Sequence, residues 1–151
     1  MKYIEAVEGY GLECLGKDSV FLAGGITGCP EWQDEMVEYL SNTDLTILNP
    51  RRKDFPIGDP DAAHEQIKWE HHALRAAGRI LFWFPCETIC PIVLYELGAW
   101  SMTEKTLHVG VHPDYARRQD VEIQTGLQRP EIAISYSLKE LAWELVNAME
   151  E

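Results

Sequence analysis

Two glutamates occupy positions where the helical pattern calls for apolar side chains. In the stretch 62–78, Ala63, Ile67, Ala73, Leu74 and Ala77 recur at helical spacing. Glu70 lies one turn from Ile67, Ala73 and Leu74, in the middle of that arc. In the next helical stretch, from Pro91 to about Thr103, Glu96 has Ile92 and Val93 one turn before it and Ala99 and Trp100 one turn after it. Both acids are therefore expected to face inward. An ionised carboxylate buried without a partner is costly, so burial and a second nearby carboxylate both raise a pKa. One such acid is most simply satisfied by a backbone cap or an arginine. Two, on consecutive helices flanking the apolar run 80–84, point to chemistry. A carboxylate pair around a small pocket is the equipment for breaking glycosidic bonds: one attacks or stabilises the anomeric carbon while the other manages the leaving group's proton.

Other residues are candidates for holding a ligand. Gly24-Gly25-Ile26-Thr27-Gly28 lets backbone approach a small molecule and opens a helix amino end, although it carries neither the Lys-Ser/Thr of a P-loop nor a dinucleotide fingerprint. Arg51-Arg52-Lys53 follows an apolar run directly and could hold a phosphate, with a solvated basic loop as its commoner outcome. Trp32, Trp69 and Trp100 offer faces for stacking on a base, with core packing as their ordinary use. His71 and His72 fall on the polar side of their helix with His64, Lys68 and Arg75. No second cysteine pair and no His-x-x-x-His accompanies Cys86 and Cys90, so no metal site is expected.

The elements that position these groups alternate. Val20–Ala23, Leu45–Leu48, Ile80–Phe84, Leu107–Val111 and Glu131–Ile134 read as strands. Helical patterns run through Trp32, Met36, Val37 and Leu40, through 62–78, from Pro91, and through Leu138, Leu141, Ala142, Leu145, Val146 and Met149. This alternation predicts an α/β fold, a flavodoxin-like three-layer sandwich around a five-stranded parallel sheet. Residues 1–18, with Gly9, Gly11 and Gly16, are expected to form an extension or hairpin laid against a single domain spanning 19–151. The site should lie beyond the carboxyl ends of the strands, lined by 24–28, 49–55, 85–90 and 112–120.

Composition narrows the partners. The 151 residues carry 13 Lys and Arg against 25 Asp and Glu, a net charge of −12. That excludes a nucleic-acid polymer or an anionic membrane as the main partner, because both demand a basic face. A small anion remains possible, since local arginines bind one within an acidic protein. The chain starts with no charged-then-apolar leader pattern, and no apolar run approaches the ~20 residues of a membrane span. Four cysteines without a framework fit reduced thiols and a cytoplasmic setting. The Glu96 stretch has apolar residues on nearly every side, more than one sheet face can cover, which predicts a homo-oligomer.

Phe21-Leu-Ala-Gly-Gly-Ile26, Leu48-Asn49-Pro-Arg51-Arg52, Ile80-Leu-Phe-Trp-Phe-Pro85 and Leu94-Tyr-Glu-Leu-Gly98, in that order, resemble the nucleoside 2-deoxyribosyltransferase family, in its short bacterial and phage form. The resemblance runs from about Val20 to the carboxyl terminus. It implies an α/β sandwich that assembles as a dimer or higher oligomer and moves 2-deoxyribose between nucleobases without metal or organic cofactor. It implies that Glu96, in Glu-Leu-Gly, is the nucleophile. It also implies that Glu70, twenty-six residues earlier, takes the place of a family aspartate that contacts the base and assists its protonation. The sequence departs from the family at Cys90, where the better-known transferases carry a sugar-contacting aspartate; Glu87 is the nearby acid that would compensate. Related N-glycosidases release the sugar to water, and Arg51 and Arg52 would suit their monophosphate substrates. Transfer, hydrolysis, and a non-catalytic nucleotide-binding module are thus the three readings, with a nucleoside or nucleotide and a nucleobase as the expected small-molecule partners.

Overall fold

The computed structural model describes residues 1–8 and 12–151; Gly9 and Gly11 lie outside the described residues. Six strands form one parallel sheet: β1 (Lys2–Glu5), β2 (Ser19–Gly24), β3 (Thr46–Asn49), β4 (Arg79–Phe84), β5 (Thr106–Val111) and β6 (Ile134–Ser135), in the order β1-β3-β2-β4-β5-β6. Five α-helices connect them: α1 (Trp32–Tyr39), α2 (Ala62–Ala76), α3 (Pro91–Ser101), α4 (Arg118–Gln128) and α5 (Leu138–Glu150). A 3-10 turn covers Leu12–Cys14.

The sheet has six strands rather than the expected five. The additional one is Lys2–Glu5, which pairs in parallel with β3 from Lys2 opposite Thr46 to Glu5 opposite Asn49. Without β1, the order of β2 to β6 is that of flavodoxin-type doubly wound sheets, with the reversal of strand direction of growth falling between β2 and β4.

β2 is buried at every position, and β4 and β5 at all but their first. Helices cover both faces of such a sheet, so its strands read as unbroken apolar runs. Side chains nevertheless alternate between two cores. Phe21, Ala23, Ile80, Phe82 and Phe84 pack with Trp69, Ala73 and Leu74 of α2, Val93 and Leu97 of α3, and Val121 of α4. Val20, Leu22, Leu81 and Trp83 turn the other way, onto Trp32 and Met36 of α1 and Leu141 and Leu145 of α5. The layers are α1 and α5, the sheet, then α2, α3 and α4.

Two helix boundaries are fixed chemically. Ser137 caps α5, its hydroxyl accepting from the Glu140 N–H at 3.1 Å. Pro91 begins α3, after Cys90 has turned the chain through a left-handed conformation at φ 52°.

Candidate active site

The loops after β2 and β4 and the facing sides of α2 and α3 enclose a cavity of about 810 Å³. Glu70 and Glu96 both line it. The two acids singled out from their helix faces are thus brought to one place from neighbouring helices. Their surroundings differ from the expected ones. Ile67 and Ile92 are 65 % and 64 % exposed, and Ala63 is exposed as well. The side of α2 that meets the sheet carries Ala62, Trp69, Ala73 and Leu74 instead. Ile67 and Ile92 line the cavity beside the carboxylates, so the apolar arc of each helix is divided between core and cavity wall.

Burial pushes the Glu96 carboxyl up to about 8, with the Glu70 charge adding to the rise. Burial also raises Glu70, partly offset by the Gln66 amide, which donates to Glu70 Oε1 at 3.2 Å and to the Pro50 carbonyl at 2.6 Å. The two carboxyls therefore titrate as a pair, and around neutral pH the pair favours retaining a proton. A proton and a negative charge in one apolar cavity are the two resources that acid-assisted displacement at an acetal carbon needs.

The glycine turn forms the cavity wall next to β2. Gly24, Gly25 and Ile26 line it with Thr27. A Cβ on Gly24 would stand 2.2 Å from the Trp32 ring, and one on Gly25 2.6 Å from Cys29 Sγ and 2.9 Å from Cys90 Sγ. Only glycine lets the turn lie this close to its neighbours. The Gly25 carbonyl is held by Trp32 Nε1 at 2.9 Å and Gln33 Nε2 at 3.3 Å. Opposite it, Cys90 is buried and lines the cavity; its thiol meets the Thr88 hydroxyl at 3.2 Å, and burial raises its pKa. At this site Cys90 is a neutral thiol, not the anion an aspartate would supply.

The remaining candidates stand outside the cavity lining. Asn49 is buried, donating to Tyr3 Oη at 3.0 Å and accepting from the Arg51 N–H at 2.9 Å. Arg51 spends its guanidinium on the turn before α1: Nη1 on the Pro30 carbonyl and Gln33 Oε1, Nη2 on the Cys29 carbonyl, and Nε 3.3 Å from Glu31. Trp69 packs on Phe21 and donates to the Glu8 carbonyl at 2.7 Å. Glu87 is exposed and accepts from the Cys86 thiol. Residues 112–120, expected as a fourth wall, instead brace one: Tyr115 Oη donates to the Ile89 carbonyl at 2.5 Å and supports the loop after β4.

The structure adds residues to the cavity that helix faces alone did not select. His71 and Arg75 of α2 line it, as do Tyr95 in the middle of α3 and Thr103 beyond its end, together with Trp100, already a stacking candidate. His71 and Arg75 belong to the polar side of α2, but that side borders the cavity mouth rather than open solvent. Their four-residue spacing, starting directly after Glu70, was the available signal.

No helix among the described residues is long and apolar enough to cross a membrane, and the described cysteines Cys14, Cys29, Cys86 and Cys90 are all unpaired. A family model described as nucleoside 2-deoxyribosyltransferase like matches residues 17–115, a span that contains the glycine turn, both cavity helices and both carboxylates. A comparison with curated proteins finds no match.

Proposed function

Because the chain belongs to the nucleoside 2-deoxyribosyltransferase-like family, we propose that it cleaves the N-glycosidic bond of a 2′-deoxynucleoside unit through a covalent intermediate on Glu96. The observation that carries this reading is the pairing of Glu96 and Glu70 in one desolvated cavity, each with a raised pKa. The reactive arrangement is the one in which the proton that burial favours on Glu96 has passed to Glu70, leaving the charge on Glu96. Glu96 forms a bond to C1′ as the C1′–N bond breaks, and the departing base takes the Glu70 proton. The missing 2′-hydroxyl makes this easier, because no electron-withdrawing group opposes the oxocarbenium-like transition state. A second nucleobase, its proton taken by Glu70, then displaces Glu96 and restores the original configuration.

The chemistry divides between the walls of the cavity. The glycine turn, packed tightly on Trp32, Cys29 and Cys90, forms the wall on the β2 side, and the base would lie against it. Thr88 and Cys90 offer a hydroxyl and a thiol toward the sugar. Release of the sugar to water is the second reading. It is favoured by Cys90: a neutral thiol in place of a carboxylate gives the sugar a weaker hold between the two half-reactions.

The test is a slow substrate. A 2-fluoro-2-deoxyarabinosyl nucleoside should leave a sugar adduct on the peptide that contains Glu96, because fluorine retards its turnover. Glu96→Gln should form no adduct and lose several orders of magnitude in rate, each order being about 1.4 kcal/mol of barrier. An adduct on any other residue overturns the mechanism. Acceptor bases added to the wild type separate transfer from hydrolysis by their products.

A further inference from the structure

Among the described residues, the cavity is lined by two side chains of basic type, Arg75 and His71, and both stand at its mouth on α2. In a chain with nearly twice as many acids as bases, Arg75 has no carboxylate partner. Its guanidinium stacks on the Trp100 ring, 5.6 Å from the ring centre, which holds it across the opening toward α3. Nη1 contacts His71 Nδ1 at 3.0 Å and the His71 carbonyl at 3.2 Å. Arg75 Nε and Nη2 have no acceptor among these contacts. Since the guanidinium can only donate, His71 Nδ1 is the acceptor in this contact, and Nε2–H is left as a further donor. Tyr95, 76 % exposed, adds a hydroxyl to the same lining. Lys105 also stands over the Trp100 ring, at 5.3 Å, but its ammonium is committed to the Arg75 and Ala77 carbonyls and does not line the cavity.

The arrangement is polar along its length. Arg75 follows Glu70 by five residues, which at 1.5 Å per residue is about 7.5 Å along the helix axis. That separation is of the order of one sugar ring with its exocyclic carbon. A neutral nucleoside has no use for a guanidinium at that distance. A phosphate does, and it must also be kept away from the carboxylate pair, which repels it. We propose that Arg75 and His71 form the subsite for a 5′-phosphate, so that the substrate unit of this cavity is a 2′-deoxynucleoside 5′-monophosphate. This rests on the reading of Glu96 given above. It moves the phosphate contact from Arg51, whose donors are committed to the turn before α1, to a cation that faces the cavity.

The experiment uses the full chain carrying Glu96→Gln, which cannot turn over, and titrates it calorimetrically with 2′-deoxynucleosides and their 5′-monophosphates. The monophosphate should bind at least ~10-fold more tightly than its nucleoside, equivalent to about 1.4 kcal/mol. That preference should shrink as salt is raised, because the contact sits at a solvent-open mouth. Adding Arg75→Ala should abolish the preference, Arg75→Lys should retain part of it, and His71→Gln should reduce it. Equal affinity for the two ligands, or a preference that survives Arg75→Ala, overturns the subsite. The nucleoside titration run on each variant reports whether the substitution has damaged the cavity as a whole. An Arg75-dependent preference in a protein whose wild type cleaves neither ligand would leave the subsite standing and overturn the proposed reaction. Cleavage of nucleosides through Glu96 without any phosphate preference would do the reverse.

Discussion

Glu96→Gln should stabilise the fold, and by an amount that depends on pH. The carboxyl has an ordinary value of 4.5 and is pushed up to about 8 in the folded chain by burial and by Glu70. Between those values the folded state holds a proton that the unfolded chain has released. Stability therefore falls as pH rises from about 4.5 and levels off once pH passes about 8. At 1.36 kcal/mol per decade, a rise from 4.5 to about 8 sets a ceiling of ~5 kcal/mol. Water at the open mouth and relaxation around Glu70 reduce this, so about 2 kcal/mol is the expected cost of the wild-type carboxylate at pH 8.5. Glutamine keeps the shape and carries no charge, which removes the cost. Urea unfolding of both proteins from pH 5 to pH 9 is the assay. The two should have similar stability near pH 5 and separate progressively, with the variant the more stable. A difference that stays constant across that range would refute the argument, since it would mean that the burial of Glu96 carries no electrostatic cost. The gain should coincide with loss of activity, the ordinary trade at a site built for chemistry rather than stability.

Two further perturbations follow from the packing. Gly24→Ala places a methyl group 2.2 Å from the Trp32 ring, whose Nε1 is tied to the Gly25 carbonyl, so the indole cannot retreat freely; overpacking of this kind should cost about 1–3 kcal/mol and lower the melting temperature by several degrees. Ile67, Ile92, Tyr95 and Met102, each more than 60 % exposed, are expected to be covered by another copy of the chain; light scattering at micromolar concentration should report a dimer or larger, and a monomer would remove that expectation.

How much of this was legible in the sequence depended on whether a residue's surroundings are local. The buried strands β2, β4 and β5 announce themselves because a two-sided parallel sheet needs continuous apolar runs. Glu70 and Glu96 stood out because a charge in an apolar arc is anomalous whether the arc faces core or cavity. The same arcs misplaced Ile67 and Ile92, since periodicity cannot distinguish a packed face from a cavity wall. β1 was missed because Lys2–Glu5 is a short edge strand, exposed or half-exposed throughout, with no alternation to detect. α4 was missed because it buries only Val121 and Thr125. Arg51 illustrates the limit most directly. Its type and position suit a phosphate, and only tertiary structure shows its donors satisfied by residues 29–33.

The position of β1 has a consequence for the order in which the molecule assembles. Synthesis delivers Lys2–Glu5 well before Thr46–Asn49, yet among the described residues its partner in the sheet is β3, and β3 is itself held by β2. β1 leaves the ribosome with no template until Thr46–Asn49 has emerged and settled. Until then Tyr3 and Ile4 travel as an unpaired apolar segment, the kind of edge that pairs with the wrong chain when nascent chains are crowded. Its brevity and its flanking charges, Lys2 and Glu5, limit that hazard during the interval when the native edge does not yet exist.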